Sequence, residues 1–130
     1  MVFESVSEVG IDLAVGKISS GELRCIVAQV RTSSLTKNKD YMFNVIGRNK
    51  FVNSPKFFHF LCLEEKEDEL RPIYLIIPNP ELKKLIERKI KTPASWKRKG
   101  HYPCHLSKLQ LKKEEWIQWK NRFDLIDEQL

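Results

Sequence analysis

The chain has 130 residues, of which 42% are hydrophobic and 31% are charged, and its formal net charge is +6. This length and composition predict one globular domain, residues 1–130, with enough apolar residues for a core. There is no apolar run long enough to cross a membrane and no signal-peptide pattern, so we expect a cytoplasmic protein without membrane contacts. Three cysteines without a Cys-x-x-Cys spacing suit a reducing compartment, and Cys25 and Cys62 are predicted to be buried thiols.

The first predicted element is a hairpin in residues 10–31 with a two-residue turn at Ser20-Gly21. Glycine in such a turn supplies a positive φ. The register centred on this turn places Asp12 opposite Gln29, and Arg31 shares the strand face of Gln29. An acid, an amide and a guanidinium therefore meet at one corner of a sheet. A functional cleft explains these polar groups, and so does a strand end that has simply reached the surface.

Strand patterns dominate the first part of the chain. Alternating or apolar runs rich in aromatic and β-branched residues predict strands at 10–17, 22–31, 41–46, 57–63 and 73–77. Polar and breaker residues predict loops at 32–40, 47–55 and 94–103. Strands followed by helices, with a strand-to-helix crossover, are typical of an α/β or α+β fold. We therefore expect a mixed sheet of four or five strands flanked by helices.

Two helices are predicted after the last strand. The first begins at Asn79, which caps it, has Pro80 in its first turn and ends at Thr92-Pro93. The second covers residues 111–123 and carries an aromatic stripe at helical spacing. The stripe consists of Trp116, Trp119 and Phe123. Core packing is the expected role of this stripe, with a base-stacking surface as the alternative.

Basic residues cluster in the sequence, whereas acids concentrate in residues 64–69. A basic face opposite an acidic hairpin tip favours a polyanionic partner, with an ordinary solvated surface as the alternative. One basic segment also contains a tryptophan, which suits stacking on an exposed base or packing against the helical layer. The candidate nucleic-acid-binding residues are Lys37, Lys39, Arg48, Lys50, Trp96, Lys97, Arg98 and Lys99.

A zinc site has the weakest support in the sequence. His101, Cys104 and His105 lie close together in the sequence. Structural zinc sites use four ligands, commonly from two separated pairs, and the sequence has no obvious second pair. We therefore do not expect bound zinc.

Asp12 followed on the next strand by Gln29-Val30-Arg31 resembles the core of the PD-(D/E)XK nuclease superfamily, which has the restriction-endonuclease-like fold. The resemblance implies a nucleic-acid-binding endonuclease that hydrolyses phosphodiester bonds with Mg²⁺ or Mn²⁺. It implies Asp12, Gln29 and Arg31 as catalytic residues. The implied metal ligands are Asp12, Gln29 and the carbonyl of Val30, with Glu8 as a further candidate. Later segments that resemble the superfamily are residues 56–60, 72–78 and 116–123.

Arg31 stands where the superfamily usually has lysine. A guanidinium stays charged, so the role implied for Arg31 is a phosphate clamp and not a general base. The implied partner is nucleic acid, DNA rather than RNA, and a homodimer is compatible with the resemblance. The competing interpretation is a nuclease-fold protein without catalysis, which binds nucleic acid or serves as a protein-assembly module.

Overall fold

The computed structural model describes residues 2–4, 12–34, 40–46, 54–64, 73–89 and 101–130. The strands in these ranges are β1 (Val2–Glu4), β2 (Leu13–Ser19), β3 (Glu22–Ser34), β4 (Asp40–Ile46), β5 (Phe57–Glu64), β6 (Ile73–Pro78) and β7 (His101–Ser107). The helices are α1 (Asn79–Lys89), a 3₁₀ turn (Gln110–Lys112), α2 (Glu114–Ile117) and α3 (Asp124–Gln129).

Five strands form one mixed sheet in the order β1-β2-β3-β5-β6. β3 and β5 run parallel, and the other neighbouring pairs are antiparallel. This confirms the expected α+β class and the mixed sheet. The predicted strand at 41–46 also exists, as β4, but it pairs with β7 in a separate two-stranded sheet.

The first hairpin has the predicted register from Leu13 to Ser19, but the ladder stops before the predicted pair of Asp12 with Gln29. Ser20 and Gly21 both have positive φ, 54° and 77°, as the turn type that matches strand twist requires. The ladder runs from Ser19 opposite Glu22 to Leu13 opposite Ala28. β3 continues past its predicted end to Ser34, because β5 pairs with it along that extension.

Apolar side chains cover both faces of the five-stranded sheet. On one face α1 packs through Leu82, Leu85 and Ile86, as its sequence period predicts, together with side chains of β4 and β7. On the other face Ile26, Ala28, Phe58 and Ile76 pack against the α3 segment, which contributes Leu125, Ile126 and Leu130. The sheet is therefore flanked by helices, as expected.

The prediction of one continuous helix over residues 111–123 is wrong. The structure has the 3₁₀ turn, the short helix α2 and a break at Asn121, where φ is 52°. The reason is pairing with the edge of β6: the Ile76 amide donates to the Trp119 carbonyl at 2.9 Å, and the Asn121 amide donates to the Tyr74 carbonyl at 2.7 Å. These bonds cover a sheet edge that would otherwise be exposed.

The break also divides the predicted aromatic stripe. Trp116 is buried in the core beside α1, and Trp119 packs against that core from a partly buried position. Phe123 lies beyond the break and is 47% exposed, with its ring edge-on to Tyr74. Core packing is thus the role of the two tryptophans but not of Phe123.

Two further expectations fail for reasons of strand geometry. The loop predicted at 94–103 is in part the strand β7, on which Cys104 is buried and His105 is exposed. Their side chains therefore point to opposite faces and do not converge on a metal ion. Cys25 is exposed, not buried, because β5 covers β3 only from Val27 onward.

The turn of the first hairpin generates a stability prediction. Gly21→Ala should lower the free energy of unfolding by about 1 kcal/mol, because an alanine at positive φ is strained. Ser20→Asn should raise it by about 0.5 kcal/mol, because asparagine tolerates this conformation better than serine. Urea unfolding monitored by circular dichroism measures both changes.

Gly16→Ala is the matched control for the turn variants. A Cβ at Gly16 would meet the Leu23 side chain at 3.5 Å, an ordinary contact, and Gly16 has no positive φ. We expect a change within about 0.5 kcal/mol for this strand position. An equal loss in Gly16→Ala and Gly21→Ala would contradict the role assigned to the turn.

Candidate functional site

The site begins at Asp12, which lies just before β2. Its amide donates to the Ala28 carbonyl at 2.8 Å, and its carboxylate oxygen Oδ2 accepts the amide of Val30 at 2.7 Å. The β2–β3 ladder ends at Leu13 opposite Ala28. Beyond this pair, β2 supplies no backbone acceptor for the next amide of β3 that points towards β2, which is the amide of Val30. The Asp12 carboxylate supplies that acceptor and extends the ladder by one bond.

Arg31 completes the contact from the same strand end. Its Nη1 donates to Asp12 Oδ2 at 3.3 Å and to the Val30 carbonyl at 3.1 Å. The side chains of Arg31 and Asp12 are 33% and 41% exposed, so solvent reaches this ion pair. Of the three side chains predicted to meet at one sheet corner, Asp12 and Arg31 are therefore in contact.

Gln29 lies deeper than the other predicted site residues. It is fully buried, two residues from Arg31 on the same face of β3, and it pairs across the sheet with His59 of β5. Within the described ranges neither its amide nitrogen nor its amide oxygen has a hydrogen-bond partner. Burying an amide without hydrogen-bond partners costs about 1–3 kcal/mol. A ligand or a water molecule that bonded to the Gln29 amide would recover part of this free energy.

Two buried polar residues beside Gln29 were not predicted as part of the site. His59 and Asn79 are both fully buried, and His59 Nε2 lies 2.7 Å from Asn79 Oδ1. Because a carbonyl oxygen only accepts hydrogen bonds, Nε2 is the protonated nitrogen. The signal in the sequence was a lone histidine in the otherwise apolar stretch 57–63. Asn79 was interpreted only as the cap of α1.

His59 is held neutral at physiological pH. Burial lowers the pKa of its imidazole from 6.5 to about 4, against the raising effect of the hydrogen bond to Asn79. The positive charge of Arg31 lowers the pKa further, and the negative charge of Asp12 raises it. His59, which lies between Gln29 and Asn79 in a buried polar row, is therefore electrostatically coupled to the Asp12–Arg31 corner.

The implied divalent cation fits this donor set poorly. The carboxylate Oδ2 of Asp12 and the carbonyl of Val30 are the two oxygens that the cation would use, and Arg31 Nη1 lies against both. Elsewhere in the described part of the chain, no group of three or more His, Cys, Asp or Glu side chains could hold a metal ion. Glu8, the further candidate ligand, lies outside the described residues.

The candidate nucleic-acid-binding residues also lie outside the described residues. They are Lys37, Lys39, Arg48, Lys50, Trp96, Lys97, Arg98 and Lys99. In the part that the structure does describe, no helix is long and apolar enough to cross a membrane. Comparison of the chain with protein families, with curated proteins and with solved structures finds no match.

The buried His59 generates a prediction about pH. The unfolded chain binds a proton near pH 6.5 and the native imidazole only near pH 4, so stability falls as the pH is lowered through this window. The loss attributable to His59 should approach about 3 kcal/mol. In His59→Gln, that part of the pH dependence should disappear from urea unfolding curves recorded between pH 7 and pH 4.

His105→Gln is the control, because His105 is exposed on β7. We expect this variant to keep the steep fall in the free energy of unfolding below pH 6.5. If His59→Gln showed the same fall as the wild type, the neutral buried imidazole would be refuted.

Proposed function

We propose that the protein binds nucleic acid through a nuclease-like scaffold in which the Arg31 guanidinium takes the place of the catalytic cation. One observation carries the proposal: Arg31 Nη1 lies 3.3 Å from Asp12 Oδ2 and 3.1 Å from the Val30 carbonyl. The position of Asp12 just before β2 and of Gln29-Val30-Arg31 on the neighbouring β3 supports the scaffold.

Arginine suits this role on chemical grounds. Its guanidinium is always charged and presents a planar set of N–H donors that matches the oxygens of a phosphate. Asp12 and the Val30 carbonyl fix one nitrogen at the strand end, and a third of the side chain is in contact with solvent. A phosphate arriving there would compete with Asp12 for the cation, so Asp12 sets the strength of the interaction.

The charge pattern of the sequence supports a polyanionic partner. Residues 35–39 follow β3 in the chain, and residues 47–53 lead towards β5. Together with residues 90–100, these segments contain eight Lys or Arg and no Asp or Glu. Such basic segments supply the sequence-independent part of nucleic-acid binding through contacts with phosphates. Double-stranded DNA is the partner that we propose, and the cytoplasm is the proposed location.

A second candidate function is cation-dependent hydrolysis of phosphodiester bonds. The observation that favours it is the fully buried amide of Gln29, which finds no partner among the described residues. An amide oxygen is one of the ligand types that Mg²⁺ accepts. This function would require Arg31 to release Asp12.

Binding of a fluorescent DNA duplex at several salt concentrations tests the proposed function. Arg31→Ala should weaken binding about fivefold to tenfold and reduce the salt slope by about 1, because one phosphate contact is lost. Asp12→Asn should tighten binding, since it removes a competing negative charge and keeps an oxygen for the Val30 amide. Excess EDTA should change neither result.

Arg122→Ala is the matched control for that assay. Arg122 is an arginine of similar exposure, 41% against 33% for Arg31, and it is paired with Asp124 on the C-terminal segment. Its loss should leave affinity and salt slope unchanged. Equal affinities for the wild type and Arg31→Ala would overturn the proposed phosphate contact.

Cleavage of supercoiled plasmid with Mg²⁺ or Mn²⁺ separates the two candidate functions. The proposal predicts no cleavage by the wild type. It also predicts none by Arg31→Lys, the variant that restores the pattern of the nuclease superfamily. Cation-dependent nicking by either protein, abolished by Asp12→Ala, would establish hydrolysis instead.

A further inference from the structure

The end of the first hairpin extends beyond the sheet as a two-stranded ribbon. β1 pairs with β2 no further along the hairpin than Val15, and β5 pairs with β3 only from Val27. Among the described residues no strand flanks the ribbon between these points, and residues 17–25 are all exposed. We call the exposed residues 17–25 the β2–β3 arm.

The two faces of the arm differ in chemistry. Ile18 and Leu23 lie directly opposite each other on one face, and they are 72% and 66% exposed. Lys17 and Arg24 are the next opposed pair and therefore lie on the other face. Glu22 shares the face of this cationic pair, and its Oε2 lies 3.8 Å from Arg24 Nη2. The arm thus carries an apolar pair on one face and two cations with one acid on the other.

Packing against the described part of the chain does not account for the apolar pair. Ile18 and Leu23 belong to neither of the two cores, and exposed aliphatic pairs at a projecting tip gain free energy only when something covers them. A stable protein interface buries about 800 Å² on each partner. Two aliphatic side chains supply a small fraction of that area, which argues against a second copy of the chain as the occupant.

A DNA duplex fits the dimensions and the charge of the arm. The major groove is about 12 Å wide and admits a two-stranded β-ribbon. Proteins also insert isoleucine or leucine side chains between base steps and bend the duplex. Lysine and arginine on the reverse face have the length to reach phosphates on the groove walls.

We propose that the β2–β3 arm enters a groove of double-stranded DNA, with Ile18 and Leu23 against the bases and Lys17 and Arg24 towards the phosphates. The choice of DNA as the partner rests on the proposed function. β2 runs from the Asp12 corner to the turn and spans about 20 Å, or about six base pairs. The arm and Arg31 therefore contact one duplex at two separated points.

The test measures affinity and DNA bending for the whole chain on an end-labelled duplex. The double variant Ile18→Thr/Leu23→Thr keeps residues that favour strands and removes most of the apolar surface. We expect it to weaken binding about tenfold, with an unchanged salt slope, and to reduce the bend seen by energy transfer between the duplex ends. Lys17→Gln/Arg24→Gln should instead reduce the salt slope by about 2.

Leu109→Thr is the matched control, because Leu109 is also 72% exposed but follows β7 far along the chain. It should bind and bend the duplex like the wild type. Circular dichroism spectra and unfolding curves establish that each variant is folded.

The outcomes separate this proposal from the proposed function. If Arg31→Ala weakens binding but Ile18→Thr/Leu23→Thr binds and bends DNA like the wild type, the arm is overturned and the Arg31 contact stands. If the wild-type protein has no affinity for DNA, both the proposed function and the proposed contact of the arm with DNA are overturned. If the double variant changes only the oligomeric state in sedimentation, the apolar pair is a contact between copies and the arm proposal is wrong.

Discussion

The bond between the Asp12 carboxylate and the Val30 amide organises the corner on which this account depends. It replaces a backbone acceptor at the point where the β2–β3 ladder ends, and it brings a negative charge to the end of a strand. Arg31 is drawn to the same oxygen and also reaches the Val30 carbonyl. A group that completes the sheet therefore also determines which cation occupies the corner, because the same Oδ2 serves both purposes.

A row of buried polar residues lies deeper in the protein than the exposed Asp12–Arg31 corner. Gln29, His59 and Asn79 are buried where neighbouring positions of the sheet are apolar. Asn79 joins the first turn of α1 to β5 through its bond with His59, whereas the side chain of Gln29 on β3 makes no hydrogen bond with the described residues. A satisfied buried hydrogen bond such as that between His59 and Asn79 restricts the relative position of the two elements that it joins. Arg31 lowers the pKa of His59 and Asp12 raises it, so the buried imidazole is electrostatically coupled to the exposed ion pair.

Local signals in the sequence predicted the parts of the fold that local chemistry controls. Ser20-Gly21 determined the hairpin register and thereby the meeting of Asp12 with Arg31, and the spacing of Leu82 and Ile86 predicted the buried face of α1. The helix expected at 111–123 failed because pairing with the edge of β6 overrides helix periodicity. The contact of His59 with Asn79 depends on how β5, β6 and α1 are arranged in space, which periodicity alone does not reveal. The hydrogen bond from Arg31 to the Val30 carbonyl depends on the conformation of the long arginine side chain, which a sequence pattern does not specify.

Electron paramagnetic resonance of added Mn²⁺ tests the central claim most directly, because it counts bound cations without nucleic acid or activity. If Arg31 holds Asp12 Oδ2 and the Val30 carbonyl, the wild type should leave Mn²⁺ free in solution. Arg31→Ala should gain Mn²⁺ affinity, and the additional change Asp12→Asn should remove that gain. One Mn²⁺ bound by the wild type and lost in Asp12→Asn would contradict the claim that a guanidinium occupies the place of the cation.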